Sequence, residues 1–149
     1  MHTFAVYVED RPGVLNRVAS LFRRRGFNIH SLAVGGSEIP GVSGMTVVVQ
    51  TDDGGARRIE AHLYKIVNVI RVENITSRPA VVRDLALIKM TADLTTRSAI
   101  LQLAQVFDAR IVDVAPESLV LEMCGSEARS DGLLDVLRPY GVLEMVRTG

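Results

Sequence analysis

The apolar residues run twice through the same cycle of spacings, and that repetition is what most limits the folds open to this chain. Phe4, Val6 and Val8 alternate with Ala5, Tyr7 and Glu9 at the period of a half-buried strand. Val14, Leu15, Val18, Leu21 and Phe22 then recur at helical spacing, with Asn16, Arg17, Ser20, Arg23 and Arg24 on the opposite face. Gly26 supplies the helix stop, since glycine accepts the left-handed backbone needed there. Residues 29–34 read as a second strand, 35–41 as a loop by composition, and 45–50 as a third strand. Asp52 or Asp53 caps a second helix with Ala56, Ile59, Leu63 and Ile66 inward, and residues 67–75 form a fourth strand.

The pattern breaks at Thr76-Ser77-Arg78-Pro79 and restarts. A strand over 84–90 leads to a helix capped by Thr95 or Thr96, with Ile100, Leu103, Ala104 and Phe107 on one side. Strands over 110–114 and 118–123 follow, then a shorter helix through Leu133, Leu134 and Leu137, and a last strand over 141–146. Each pass is strand-helix-strand-strand-helix-strand. That order predicts an α+β chain of two ferredoxin-like βαββαβ domains in tandem, residues 1–76 and 84–149, joined by a linker over 77–83. The halves share architecture without obvious sequence identity. Units this small bury little surface and leave open sheet edges, so association is expected.

Several kinds of chemistry are absent. The 17 basic and 17 acidic residues cancel, which argues against a general nucleic-acid binder, and no aromatic platform for RNA is visible. No run of residues is long and apolar enough to span a membrane, and the first residues do not form a signal peptide. His2, His30 and His62 lie far apart, and no Cys-x-x-Cys or His-x-x-x-His pair exists, so no metal site is expected. The single cysteine, Cys124, excludes an internal disulfide, fits a reducing cytoplasm, and reads as a small buried side chain within a strand. The arginines at 23–25 read as a solvated helix end that complements the helix dipole.

The start of the first helix is different. Pro12 sets the turn, and Gly13, Val14 and Leu15 offer amides with no intrahelical partner. Gly13 has no side chain to keep a ligand from the backbone. A carboxylate there gains charge-assisted hydrogen bonds, and Asp10 can meet an ammonium group beside it. Asn28 carries both a donor and an acceptor and suits either end of a zwitterion.

The segment EDRPGVLNRVASLFRRRGFNIHSLAVG, followed by SGMTVVV, resembles the ACT domain of the regulatory small subunit of acetohydroxyacid synthase, also called acetolactate synthase. RDLALIKM, FDARIVDVAPESLVLEMCG and PYGVLEMVRTG resemble the C-terminal domain of the same subunit. The resemblance implies a non-catalytic chain that binds no cofactor itself. Its partner would be a catalytic subunit carrying thiamine diphosphate, Mg²⁺ and FAD. It also implies a cytoplasmic homodimer through ACT domains, and feedback inhibition by valine or a related amino acid. On this sequence the implied effector site is Asp10, Gly13 and Val14 of one copy with Asn28, Ile29 and His30 of its mate. Ile29 would give apolar contact to the effector. Two other readings stay open at this point: an amino-acid sensor of another pathway, and an acylphosphatase-like hydrolase with Arg11 or Arg17 on a phosphate and Asn28 placing water.

Overall fold

The computed structural model describes residues Met1–Gly149 and contains two compact units, Met1–Ala80 and Val81–Thr148. The first runs β1 (His2–Glu9), α1 (Val14–Arg24), β2 (Ile29–Gly36), β3 (Val42–Val49), α2 (Asp53–Leu63) and β4 (Val69–Asn74). The second runs β5 (Asp84–Thr91), α3 (Arg97–Val106), β6 (Arg110–Ala115), β7 (Ser118–Gly125), α4 (Glu127–Leu137), a short 3₁₀ turn (Arg138–Tyr140) and β8 (Val142–Arg147). Each unit is an antiparallel four-stranded sheet, ordered β2-β3-β1-β4 and β6-β7-β5-β8. The doubled βαββαβ expectation therefore stands.

In the first unit the buried face of the sheet is Phe4, Val6 and Val8 of β1 with Met45, Val47 and Val49 of β3. The helices close this face with Val14, Val18, Leu21 and Phe22 of α1 and Ala56, Ile59 and Leu63 of α2. Register agrees with the alternation: Val6 stands opposite Met45, and Phe4 opposite Val47, so paired residues share a face. The second unit repeats the plan with Ile88 and Met90 of β5 and Leu119, Leu121 and Met123 of β7. These lie under Ile100 and Ala104 of α3 and Leu133, Leu134 and Leu137 of α4.

The helix ends show local chemistry at work. Gly26 (φ 72°) closes α1: the Phe27 amide donates to Phe22 O at 3.0 Å and the Gly26 amide to Arg23 O at 3.2 Å. This is the Schellman arrangement, with Phe27 packed on the core that contains Phe22. The same pair of bonds closes α3, where Asp108 (φ 57°) takes the glycine position and Ala109 donates to Ala104 O at 2.8 Å. Of the two aspartates that could cap α2, Asp52 does so, its carboxylate accepting from the Gly55 amide at 2.6 Å.

Some expectations need correcting. Leu15, assigned to the buried face of α1, is exposed, because α1 buries only the residues that point at the sheet. Thr96 holds the N-cap position of α3 as expected, but the side chain that bonds the amides there is that of Asp93. Its carboxylate accepts the Thr95 and Thr96 amides at 2.8 and 2.9 Å, while Thr96 makes no side-chain cap bond. Helix α4 is not the shorter one: it spans 11 residues against 10 for α3, and Ser126 caps it. β2 and β3 run longer than expected and reduce the loop over 35–41 to 37–41. β4 begins at Val69, after a turn in which the Val69 amide donates to Ile66 O. Ile66 lies beyond the end of α2, partly buried against the core. Cys124 is in a strand but exposed, since β7 alternates and turns Leu121 and Met123 inward.

Candidate functional site

At the head of α1 the chain leaves β1, turns through residues 10–13 and enters the helix at Gly13 with φ 84° and ψ −7°. No side chain caps this helix. The Val14 amide is directed back to Arg11 O at 3.4 Å, and the Arg17 amide bonds Gly13 O at 3.1 Å. The amides of Gly13, Leu15 and Asn16 donate to no acceptor in the chain. The three expected donors at Gly13, Val14 and Leu15 are thus revised: Val14 is turned back, and Asn16 takes its place. A Cβ placed on Gly13 would meet nothing within 4 Å, so the space over the amides is open. Its positive φ makes glycine the natural occupant. Three free donors at a helix head with no cap of their own form an anion-binding end.

The turn is braced from below. The Asp10 amide donates to Gly41 O at 2.9 Å, tying the turn to the β2–β3 connection and leaving the exposed Asp10 carboxylate at the rim. Arg11 pairs with Glu9 at 2.8 Å. Beneath them the buried Asn68 accepts from the Arg17 guanidinium at 2.6 Å and donates to Glu9 at 3.4 Å. Asn68, Glu9 and Arg17 fix the pitch of the helix head. Sequence reasoning did not find this trio, because an Asn between Val67 and Val69 carries no signal of a partner fifty residues away.

Asn28, Ile29 and His30 stand elsewhere. They begin β2, beyond the carboxyl end of α1, so the whole helix, about 16 Å at 1.5 Å per residue, separates them from the head. One chain therefore brings Asp10, Gly13 and Val14 together but not Asn28, Ile29 or His30. Asn28 and His30 are exposed, and Ile29 is half-buried, its side chain packed against the core. β2 is an edge of its sheet, with a shift of register between Ile29 and Ser31. Leu32 and Val34 pair with Val47 and Met45, on the helix-covered face, yet both are exposed because no helix reaches over the edge strand. A strand with one unpaired side and an apolar margin is a template for another strand.

The arrangement offers recognition groups: bare amides, a carboxylate, an amide side chain and apolar margin. No group of His, Cys, Asp and Glu side chains gathers in a way that could hold a metal ion.

Comparison with known proteins bears on the family and the fold. Residues 4–71 match the family model described as the AHAS small subunit-like ACT domain, and residues 83–149 match that of the small subunit of acetolactate synthase. The acetolactate synthase small subunit of Mycolicibacterium smegmatis is 48% identical over 148 residues, covering 99% of this chain and 87% of that protein. A probable acetolactate synthase small subunit of Archaeoglobus fulgidus is 46% identical, covering 99% of this chain and 92% of its own. The crystal structure of the small subunit from Thermotoga maritima superposes with a TM-score of 0.94 at 39% identity, covering 99% of this chain and 92% of that one. Two tandem βαββαβ units, an uncapped helix head in the first, and likeness over nearly the full length make this chain a member of the acetolactate synthase small-subunit family, with an ACT domain suited to a regulatory, non-catalytic role.

Proposed function

We propose that this chain regulates the catalytic subunit of acetohydroxyacid synthase, raising its activity and conferring feedback inhibition by valine or a related branched-chain amino acid. Residues 1–76 form the ACT regulatory domain, 77–83 the linker and 84–149 the C-terminal domain of the subunit. Thiamine diphosphate, Mg²⁺ and FAD belong to the catalytic subunit, and the assembly works in the cytoplasm.

The observation that carries this reading is the distance between the two half-sites. Asp10, Gly13 and Val14 lie at one end of α1, and Asn28, Ile29 and His30 at the other. Pairing two β2 strands antiparallel about a twofold axis sets the beginning of one β2 beside the helix head of its mate. The effector then bridges two copies. Its carboxylate meets the amides of Gly13 and Leu15 and its ammonium meets Asp10. Asn28 of the other copy serves either charged end, and the remaining surface of Ile29 meets the aliphatic side chain. A ligand this small gains about −5 to −7 kcal/mol in such a site. Inhibition follows if the bridged dimer fits the catalytic subunit differently from the empty one, since an effector shifts an equilibrium only by its differential affinity.

Calorimetric titration with valine checks the site. Asn28→Ala is expected to weaken binding about tenfold, the loss of one hydrogen bond to a charged group. Undiminished affinity would remove Asn28 from the site. Acetolactate formation by the catalytic subunit, with and without this chain and valine, tests the regulation itself.

A further inference from the structure

The helix layer of the first unit carries a concentration of unpaired positive charge. Met1–Ala80 holds ten Lys and Arg against seven Asp and Glu, while the rest of the chain holds seven against ten, so the zero overall balance hides opposite surpluses. Arg23, Arg24, Arg25, Arg57, Arg58 and Lys65 take part in none of the ion pairs in the structure. In the second unit Arg83, Lys89, Arg97 and Arg129 are likewise in no ion pair but lie apart along the chain, while Arg147 pairs with Asp84, Glu127 and Asp131.

Of the first unit's cations, Arg23, Arg24, Arg25 and Lys65 line a trough, made of two adjoining hollows, between α1 and the end of α2. One stretch of it, about 480 Å³, runs from Asn16 and Arg17 past Ser20, Arg23 and Arg24 to Ile66 and Val67. The next, about 330 Å³, shares Arg24 and Ile66 and adds Leu21, Arg25, His62 and Lys65. Leu21 and Ile66 give an apolar floor, and Val67, 90% exposed, stands at its margin. His62 registers the local field: partial burial first, then the positive charges of Arg25, Lys65 and Arg58, hold its imidazole below the usual histidine range. Like charges crowded around an apolar floor repel each other in the isolated chain and are relieved when an anionic surface covers them.

We infer that this trough is the docking surface for an acidic, partly apolar segment of the catalytic subunit, with Arg24, Arg25 and Lys65 meeting carboxylates and Leu21, Ile66 and Val67 receiving apolar side chains. The inference rests on the regulatory reading and extends it by naming the surface. A protein partner fits better than a nucleic acid. The floor is aliphatic, no Phe, Tyr or Trp ring lines the trough for base stacking, and the chain as a whole is neutral. The trough reaches Asn16 and Arg17 near the head of α1, but Arg24, Arg25 and Lys65 are not among the proposed effector residues.

The test is the affinity of the full chain for the catalytic subunit at low and high salt, beside valine calorimetry on the same preparations. R24E/K65E is expected to bind the catalytic subunit at least about tenfold more weakly at low salt, with the difference shrinking at high salt as screening grows. R24Q/K65Q should fall between this variant and the wild type, and valine affinity should be unchanged in both. R138E, on the second unit, serves as control for a general charge effect. Wild-type affinity in R24E/K65E, an equal loss in R138E, or tighter binding of the wild-type chain to single-stranded RNA than to the catalytic subunit would each overturn the assignment. A wild-type chain that fails to bind the catalytic subunit overturns the regulatory reading itself, which separates the two failures.

Discussion

Asp93 shows how much one side chain can do at the surface. Its carboxylate accepts from the Thr95 hydroxyl at 2.6 Å and from the Thr95 and Thr96 amides, covering the start of α3. The Thr95 hydroxyl is the largest of these influences, and together they hold the carboxyl at about 2, below its ordinary 3.8. A depressed folded value means that the charged form is favoured by folding. The contribution is therefore complete above about pH 4 and is lost as pH falls through about 2. Asp93→Asn should remove that part of the acid limb, so that denaturant midpoints measured across pH 2–5 fall less steeply than in the wild-type chain. The residue-level signals in the sequence were uneven for a physical reason. Gly13 and Gly26 could be recognised because few other residues accept their backbone angles. The role of Asp93 could not, because threonine and aspartate share the same preference for helix starts and three candidates stand within four positions. Asn68 gives no local sign of its partners Glu9 and Arg17.

At the level of elements, periodicity decided most of what could be read. Strict alternation in β1 gave its type and face, and helical spacing in α1 identified Val14, Val18, Leu21 and Phe22 as core. The same reasoning over-assigned Leu15, because spacing reports a stripe on a helix but not how far the sheet beneath it extends. Residue type alone suggests a buried Cys124, but Leu121 and Met123 already claim the buried side of β7 and Cys124 is exposed. β2 is the element whose sequence is hardest to understand from one copy: Leu32 and Val34 lie on the helix-covered side and remain exposed. In the proposed dimer a second β2 would cover them. Leu32→Lys, which puts a charge on that margin, is expected to raise the dissociation constant of the dimer by about tenfold or more, for an apolar contact of about 1.5–3 kcal/mol. Sedimentation across a concentration series would show it as a shift toward monomer, with little change in the helical circular dichroism of the chain.

For the whole molecule, the doubled architecture was legible because each pass must close its own core, and the two clusters of buried side chains are separate. The helix head also stood out. The sharing of the proposed effector residues between two copies is implied by the family resemblance, not by spacing along one chain. Residues 10–14 and 28–30 are near each other along the chain, and α1 runs its full length between them. Proximity in sequence there conceals separation in space.

That separation would give the proposed dimer a property no single polypeptide has. In it, each copy would lend its helix head to one cleft and its strand to the other, so damage to either contribution would not be confined to the chain that bears it. Copies carrying Asp10→Ala and copies carrying Asn28→Ala should each take up valine poorly alone. When unfolded together and refolded as a mixture, they should regain part of the lost binding, because every hybrid pair rebuilds one cleft from two undamaged halves while concentrating both lesions in the other.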